Sequence, residues 1–233
     1  MDFGGRHVII TGGTGALGAA VTHALVAAGA LCRVPYLHAA EAERFPLRDH
    51  RRVELMAGID LTDESAVARL YDRVPSLWAS IHLAGGFAMS ALAKTSKADL
   101  MMQIDLNLVT AFLSCRAAVN AIAQTGAGGR IVNVAARPAL EWRTGAGMAA
   151  YAASKAAVAA LTVALAEEVV RDGILVNAVA PSILDTPANR AAMPQADHAA
   201  WPKVEEVAAT IVFLASPDNK VGRGGVVPVY GRS

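Results

Sequence analysis

Two groups of residues in this chain have the types and spacing to do chemistry. One is Thr11-Gly12-Gly13-Thr14-Gly15-Ala16-Leu17-Gly18, and the other is Tyr151-Ala152-Ala153-Ser154-Lys155. Gly13, Gly15 and Gly18 have Gly-x-Gly-x-x-Gly spacing, which lets backbone approach a pyrophosphate while the next helix presents its free N–H groups. Gly18 is expected to keep the path between helix and phosphate clear. Tyr151 and Lys155 stand four residues apart, so on a helix they share one face. Tyrosine, with an ordinary pKa of about 10, is a poor acid or base near neutrality unless a nearby positive charge favours its phenolate. Of the tyrosines at 36, 71, 151 and 230, only Tyr151 has lysine at the fourth position after it. Taken singly, the first group could be an ordinary turn and the second a surface helix pair. Together they point to hydride transfer with NAD or NADP.

The elements that must position these residues alternate along the chain. Apolar runs predict strands at 7–11, 31–36, 53–58, 79–84, 130–135, 174–180 and 225–229. A helix follows the glycine turn, with Leu17, Val21 and Leu25 at helical spacing and Gly29 as its C-cap. Further helices are predicted over 63–74, 98–124, 149–171 and 203–215. In the first of these Thr62 is the expected N-cap, and Val67, Leu70, Tyr71 and Val74 form the buried stripe. Strict alternation implies an α/β fold: a doubly wound parallel sheet of about seven strands (a Rossmann fold) with helices on both faces. Ligands then bind at the carboxyl ends of the strands. The glycine turn, His82-Leu83-Ala84-Gly85-Gly86, the segment after Val134 and the segment after Ala180 should converge there. His82 borders this edge by register and reads as structural.

Composition sets limits on the alternatives. The 233 residues, 54% hydrophobic and 18% charged, fit one dinucleotide-binding domain over 1–233 with its catalytic site built in. A net charge of +1 without a basic stripe gives no sign of a nucleic-acid partner. Cys32 and Cys115 read as core thiols of a reducing compartment, and the six histidines show no metal spacing. The first residues do not read as a signal sequence. Lys155 interrupts the alanine-rich stretch 148–166, so that stretch holds no uncharged run of the length of a membrane span. The expectation is a cytoplasmic enzyme acting on a small molecule.

Over essentially its whole length the chain resembles the short-chain dehydrogenase/reductase family. The resemblance assigns Thr11, Gly12 and Gly18 to that family's cofactor turn, and Asp60, with Leu61 beside it, to the adenine side. Ala84 and Gly85, followed by Gly86, match the end of its Asn-Asn-Ala-Gly motif, with His82 and Leu83 replacing both asparagines. Asn107, Tyr151 and Lys155 match members of its catalytic tetrad. Pro181 and Ser182 stand at its Pro-Gly turn, and Thr186 falls on the nicotinamide side. Helices such as 149–171 pair between subunits in this family, which implies a homodimer or homotetramer.

One departure stands out. The family's catalytic serine follows the strand matching Ile131-Val132-Asn133-Val134, but here Ala135-Ala136 occupies the place, and no serine stands between Ser114 and Ser154. Thr144 is the one nearby hydroxyl. Dihydropteridine reductases within the family share this lack, and Ala84-Gly85-Gly86-Phe87, Leu184-Asp185-Thr186-Pro187 and the run from Met193 to Trp201 resemble theirs. That resemblance implies a conjugated acceptor, with Phe87, Ala136 and Trp201 as substrate residues. Ketone, alcohol or 3-oxoacyl reduction and a silent dinucleotide sensor remain as alternatives. Beyond the second strand no carboxylate appears until Glu41, which tips the expected cofactor from NAD toward NADP. However, neither Gly15 nor Leu37 is the cation that an extra phosphate would meet.

Overall fold

The computed structural model describes all 233 residues. Seven strands form one parallel sheet: β1 (His7–Thr11), β2 (Leu31–Pro35), β3 (Val53–Met56), β4 (Leu77–His82), β5 (Gly129–Val134), β6 (Ile174–Pro181) and β7 (Val226–Val229). Their spatial order is β3-β2-β1-β4-β5-β6-β7. The chain therefore winds one way from β1 and the other way from β4, leaving a crevice at the carboxyl ends of these two neighbours.

The strands are apolar on both faces because helices cover both. Val8 and Ile10 enter one core with Val21 and Leu25 of α1 (Ala16–Ala27) and with Val207 and Ile211 of α9 (Val204–Ala215). Ile9, pointing the opposite way, joins Val67 and Leu70 of α3 (Glu64–Asp72) and Leu113 of α5 (Thr110–Ala123). This period of two with no polar face is the mark of a doubly covered sheet.

Local signals hold in detail, with corrections. Gly29, at φ +86°, ends α1 in a Schellman turn: its N–H donates to Val26 and that of Ala30 to Leu25. Asp63, not Thr62, caps α3, accepting from the amides of Ser65 and Ala66. Thr62 is instead held by Asp60, whose carboxylate accepts from its amide and hydroxyl. The helix expected over 98–124 consists of α4 (Lys97–Gln103), a π-helical stretch at Ile104–Val109 and α5. Three short helices lacked the periodic length to be read: α2 (Ala39–Arg44), α6 (Arg137–Leu140) and α8 (Pro187–Ala192). α7 (Ala149–Glu168) matches expectation. By length and composition alone, Lys97–Ala123 and α7 would each pass for a membrane span despite Lys155. Both nevertheless pack on the sheet, through α5 against β4 and α7 against β6.

The glycine turn is locked by sterics. A Cβ on Gly12, which has φ +66°, would come within 2.5 Å of the Ala84 nitrogen, so the turns after β1 and β4 touch backbone to backbone. A Cβ on Gly18 would overlap the Gly12 carbonyl oxygen and lie 2.5 Å from Gly13 Cα. Gly18 thus closes the helix onto the turn, where any Cβ would force backbone apart.

His82 lies buried behind this edge. Its Nδ1 is 2.7 Å from Asn133 Oδ1, and Asn133 in turn donates to Thr162 of α7. Nδ1 is therefore the protonated nitrogen, and Nε2 accepts from Ser80 at 2.8 Å. Burial pushes the ring's pKa down to about 4.

Two outcomes follow for stability. Gly18→Ala should cost about 1–3 kcal/mol, because the added methyl forces backbone apart; an unchanged urea midpoint would contradict the packing. Below about pH 6.5 the unfolded chain binds a proton at His82 that the folded state refuses until about pH 4. Stability should therefore fall across that window, and His82→Asn should flatten this part of a melting-temperature series against pH.

Candidate active site

The turns that the sequence expected to converge do so at the carboxyl edge of β1, β4, β5 and β6. The α1 N-terminus begins at Gly15, with no side-chain cap and no acid in its first turn. The amides of Ala16, Leu17 and Gly18 thus have no helical acceptor. A backbone cradle that tolerates no Cβ at Gly12, leading to an uncapped helix start, fits a dinucleotide pyrophosphate. Thr11 is buried at the end of β1, and its carbonyl accepts from the amide of Leu83.

Tyr151 and Lys155 lie in the first two turns of α7. Lys155 is 7% exposed, and its ammonium donates to the Val134 carbonyl at 2.9 Å, the last residue of β5. Burial lowers the Lys155 pKa to about 8. Burial also pushes the Tyr151 phenol up to about 12. The expected depression of Tyr151 by Lys155 is therefore absent from this structure, because desolvation dominates and the ammonium is engaged elsewhere. The Tyr151 hydroxyl has no protein partner. Its ring meets Phe87 edge to face, with centroids 4.9 Å apart and planes at 86°.

Asn107 sits in the π-helical stretch and is buried. Its Oδ1 accepts from the Gly86 amide at 3.1 Å, while its Nδ2 faces the Gly86 carbonyl at 3.0 Å, the Gln103 carbonyl at 3.1 Å and Ser154 Oγ at 3.1 Å. The whole amide is used on protein groups, so Asn107 holds the Gly85–Gly86 turn against α7. A Cβ on Gly85 would lie 2.6 Å from Asn107 Oδ1 and 3.3 Å from Lys155 Nζ, which explains glycine there. Gln103, one helical turn before Asn107, and Ser154 of α7 complete this clamp; the Ser154 contact spans 47 positions and is made by tertiary structure alone.

Where the family's serine belongs there is no hydroxyl. Ala135 and Ala136 are both buried, and Ala136 is extended at φ −160°. Thr144 is exposed and donates to the carbonyl of Glu141. Other expected residues serve local structure. Leu61 packs under α3, Thr186 caps α8, and Ser182 donates to the Tyr230 carbonyl beyond Pro181. Trp201 is buried against His198, with ring centroids 4.6 Å apart, and is not presented as a platform.

The adenine side needs one correction. Counting along the chain left Glu41 too far from the glycines, yet α2 folds back and Thr14 Oγ1 donates to Glu41 Oε2 at 3.2 Å. A carboxylate does stand at the turn. Arg33 points into the sheet, bonded to His7 and paired with Glu54 at 3.2 Å.

Comparison with known proteins agrees with this geometry. The short chain dehydrogenase family model matches residues 6–197. The chain is 31% identical to the (2S)-[(R)-hydroxy(phenyl)methyl]succinyl-CoA dehydrogenase subunit BbsD of Thauera aromatica, over 99% of this chain and 97% of that one. It is 33% identical to galactitol 2-dehydrogenase of Rhizobium johnstonii, over 97% and 93% respectively. A short-chain dehydrogenase/reductase family oxidoreductase from Burkholderia thailandensis superposes with a TM-score of 0.87 at 26% identity, covering 97% of this chain and 92% of that one. Turn, sheet order and matches agree: the chain belongs to the short-chain dehydrogenase/reductase family of NAD(P)-dependent oxidoreductases.

Proposed function

We propose that this oxidoreductase reduces a conjugated, electron-poor acceptor, with a quinonoid dihydropteridine as the leading example, through one site in a domain spanning residues 1–233. The observation that carries this reading is the end of β5. Ala135 and Ala136 offer only buried methyl groups where a ketone's developing oxyanion needs a donor. Losing one such donor typically costs about a hundredfold or more in rate. A conjugated ring spreads the incoming charge and needs only one proton donor. Phe87, 62% exposed beside Tyr151, supplies an apolar surface suited to a planar ring.

In this reading the Thr11–Gly18 turn and the first amides of α1 hold the pyrophosphate, with Asp60, Ala84, Gly85 and Thr186 around the rest of the cofactor. The bound reduced nicotinamide supplies the hydride. The Tyr151 phenol, kept protonated by burial, donates the proton. Lys155, one helical turn on, supplies the positive charge that a phenolate at Tyr151 requires. Asn107 positions Lys155 and the Gly85–Gly86 turn, through Ser154 and its own amide, without touching the reacting atoms.

The proposal includes a cytoplasmic homodimer or homotetramer. Phe112 on α5 and Val163 on α7 are 48% and 46% exposed, leaving apolar outer faces on two helices for a second copy to cover. Light scattering gives the subunit number.

Two measurements test the chemistry. Specificity, kcat/KM, should be higher for quinonoid dihydropterin than for an aliphatic β-ketoester with either cofactor; a clear preference for the ketoester would reject the acceptor class. Tyr151→Phe should lower turnover on the best acceptor about a hundredfold or more, the usual worth of a positioned proton donor, while dinucleotide affinity stays. Turnover at the wild-type rate would remove Tyr151 from the proton step.

A further inference from the structure

We propose that residues 230–233, bonded to Ser182 on one side and to the 199–202 turn on the other, form a clasp. The clasp positions the 183–203 segment at the site and so sets the affinity for the acceptor. The inference rests on the reading of the sheet's carboxyl edge as the acceptor site, and it goes further by assigning residues that position one of its walls.

β6 ends at Pro181, and the chain then makes an excursion over 183–203 before α9 begins. No residue from 183 to 200 is buried; only Trp201 and Pro202, near the far end, reach the interior. The excursion carries Thr186 and α8, and its own bonds are local. Thr186 caps α8, Arg190 pairs with Asp185, and Asn189 donates to the Leu184 carbonyl. A surface excursion with so little buried belongs to the low-stability end of a fold. Its placement therefore depends on what ties it down.

Residues 230–233 supply the ties. Ser182 Oγ donates to the Tyr230 carbonyl at 2.9 Å and accepts from the Ser233 hydroxyl at 2.7 Å. The Arg232 amide donates to the Ala200 carbonyl at 2.9 Å, and its guanidinium to the Ala199 carbonyl at 3.2 Å. Apart from bonds into the start of α9, no other hydrogen bond joins 183–203 to the rest of the chain. Gly231 turns the chain between the two ties. It has φ +66°, and a Cβ there would stand 2.8 Å from both the Ala200 carbonyl oxygen and the Pro202 nitrogen. The Tyr230 ring reaches a third wall, packing on the cluster of Ala135, Ala139, Ala159 and Ala180, with the Arg137 guanidinium stacked on it at 5.0 Å. Both ends of the excursion are thus joined to the wall built after β5. Ser182 stands at the second position of the family's Pro-Gly turn, so the hydroxyl that closes the clasp belongs to this chain and not to the motif. An acceptor that needs this wall binds the clasped form, and its apparent affinity falls with the clasped fraction.

Hydrogen exchange over 183–203, measured on the full chain without ligand, and steady-state kinetics on the best acceptor test this, with melting temperatures confirming folded variants. Ser182→Ala should speed exchange there about three- to tenfold, the worth of one hydrogen bond, and Ser182→Thr, which keeps the hydroxyl, should restore slow exchange. Gly231→Val, whose side chain cannot fit against Ala200, should open the clasp and raise KM about threefold or more, with kcat changed by less than about twofold. If Gly231→Val does not fold, Ser182→Ala combined with Arg232→Ala takes its place. Exchange at the wild-type rate in Ser182→Ala overturns the clasp. A KM that stays put while exchange quickens overturns its part in acceptor binding. Failure of the folded wild type to reduce any conjugated acceptor would instead reject the acceptor reading on which the proposal stands, while exchange still reports the clasp itself.

Discussion

A lysine ammonium is costly to bury, and the arrangement of this site follows from accommodating one. Lys155 is almost wholly covered, and its direct protein partner is a strand-end carbonyl, that of Val134. A single neutral acceptor does not replace a hydration shell, which is why burial brings the amine's pKa down to about 8. The neighbouring groups keep space and polarity around it. Gly85 lacks a side chain where a Cβ would run into Asn107 Oδ1 and press on Nζ, and the Asn107 amide holds Gly86 from both its N–H and its carbonyl. The π-helical stretch at Ile104–Val109 carries Asn107 to that point. Departures from regular helix of this kind are found at functional positions, and this one interrupts an otherwise continuous run from Lys97 to Ala123.

Tyr151 lives in the same low-polarity surroundings with the opposite consequence. Burial raises the phenol's pKa and lowers the ammonium's, so Tyr151 holds its proton firmly while Lys155 is charged near neutrality with less margin than a free lysine. A phenol that holds its proton can donate it, the role proposed for Tyr151 above. The methyl groups of Ala135 and Ala136 extend this apolar character to the place where a hydroxyl would have served. This end of β5 thus offers no side-chain donor, while the glycine turn after β1 is made of backbone.

That turn depends on closeness more than on charge. Gly12, Gly18 and Ala84 bring two strand-end turns and the start of α1 into backbone contact, which a single added methyl would break. Behind them the polar chain from Ser80 through His82 and Asn133 to Thr162 ties β4 and β5 to α7 inside the core. Every member finds a partner, so these buried polar groups add definition to the register without leaving desolvated donors.

By itself the sequence determined the sheet, the glycine turn, the Tyr151/Lys155 pair and the missing serine. Each of these is a local pattern: apolar runs of strand length, glycines at fixed offsets, a helical i,i+4 spacing, an absent residue type. Where local competition between side chains decided, sequence reading slipped, as when Asp60 took Thr62 and left Asp63 to cap α3. Tertiary structure alone decided the rest. It turned Asn107 inward onto Gly86 and Ser154, buried Trp201 against His198, and set the ionisation of Tyr151 by desolvation in place of the expected ion pair. It also carried Glu41 to Thr14, 27 positions apart along the chain, because distance in a doubly wound sheet is set by which strands are neighbours and not by how many residues lie between them.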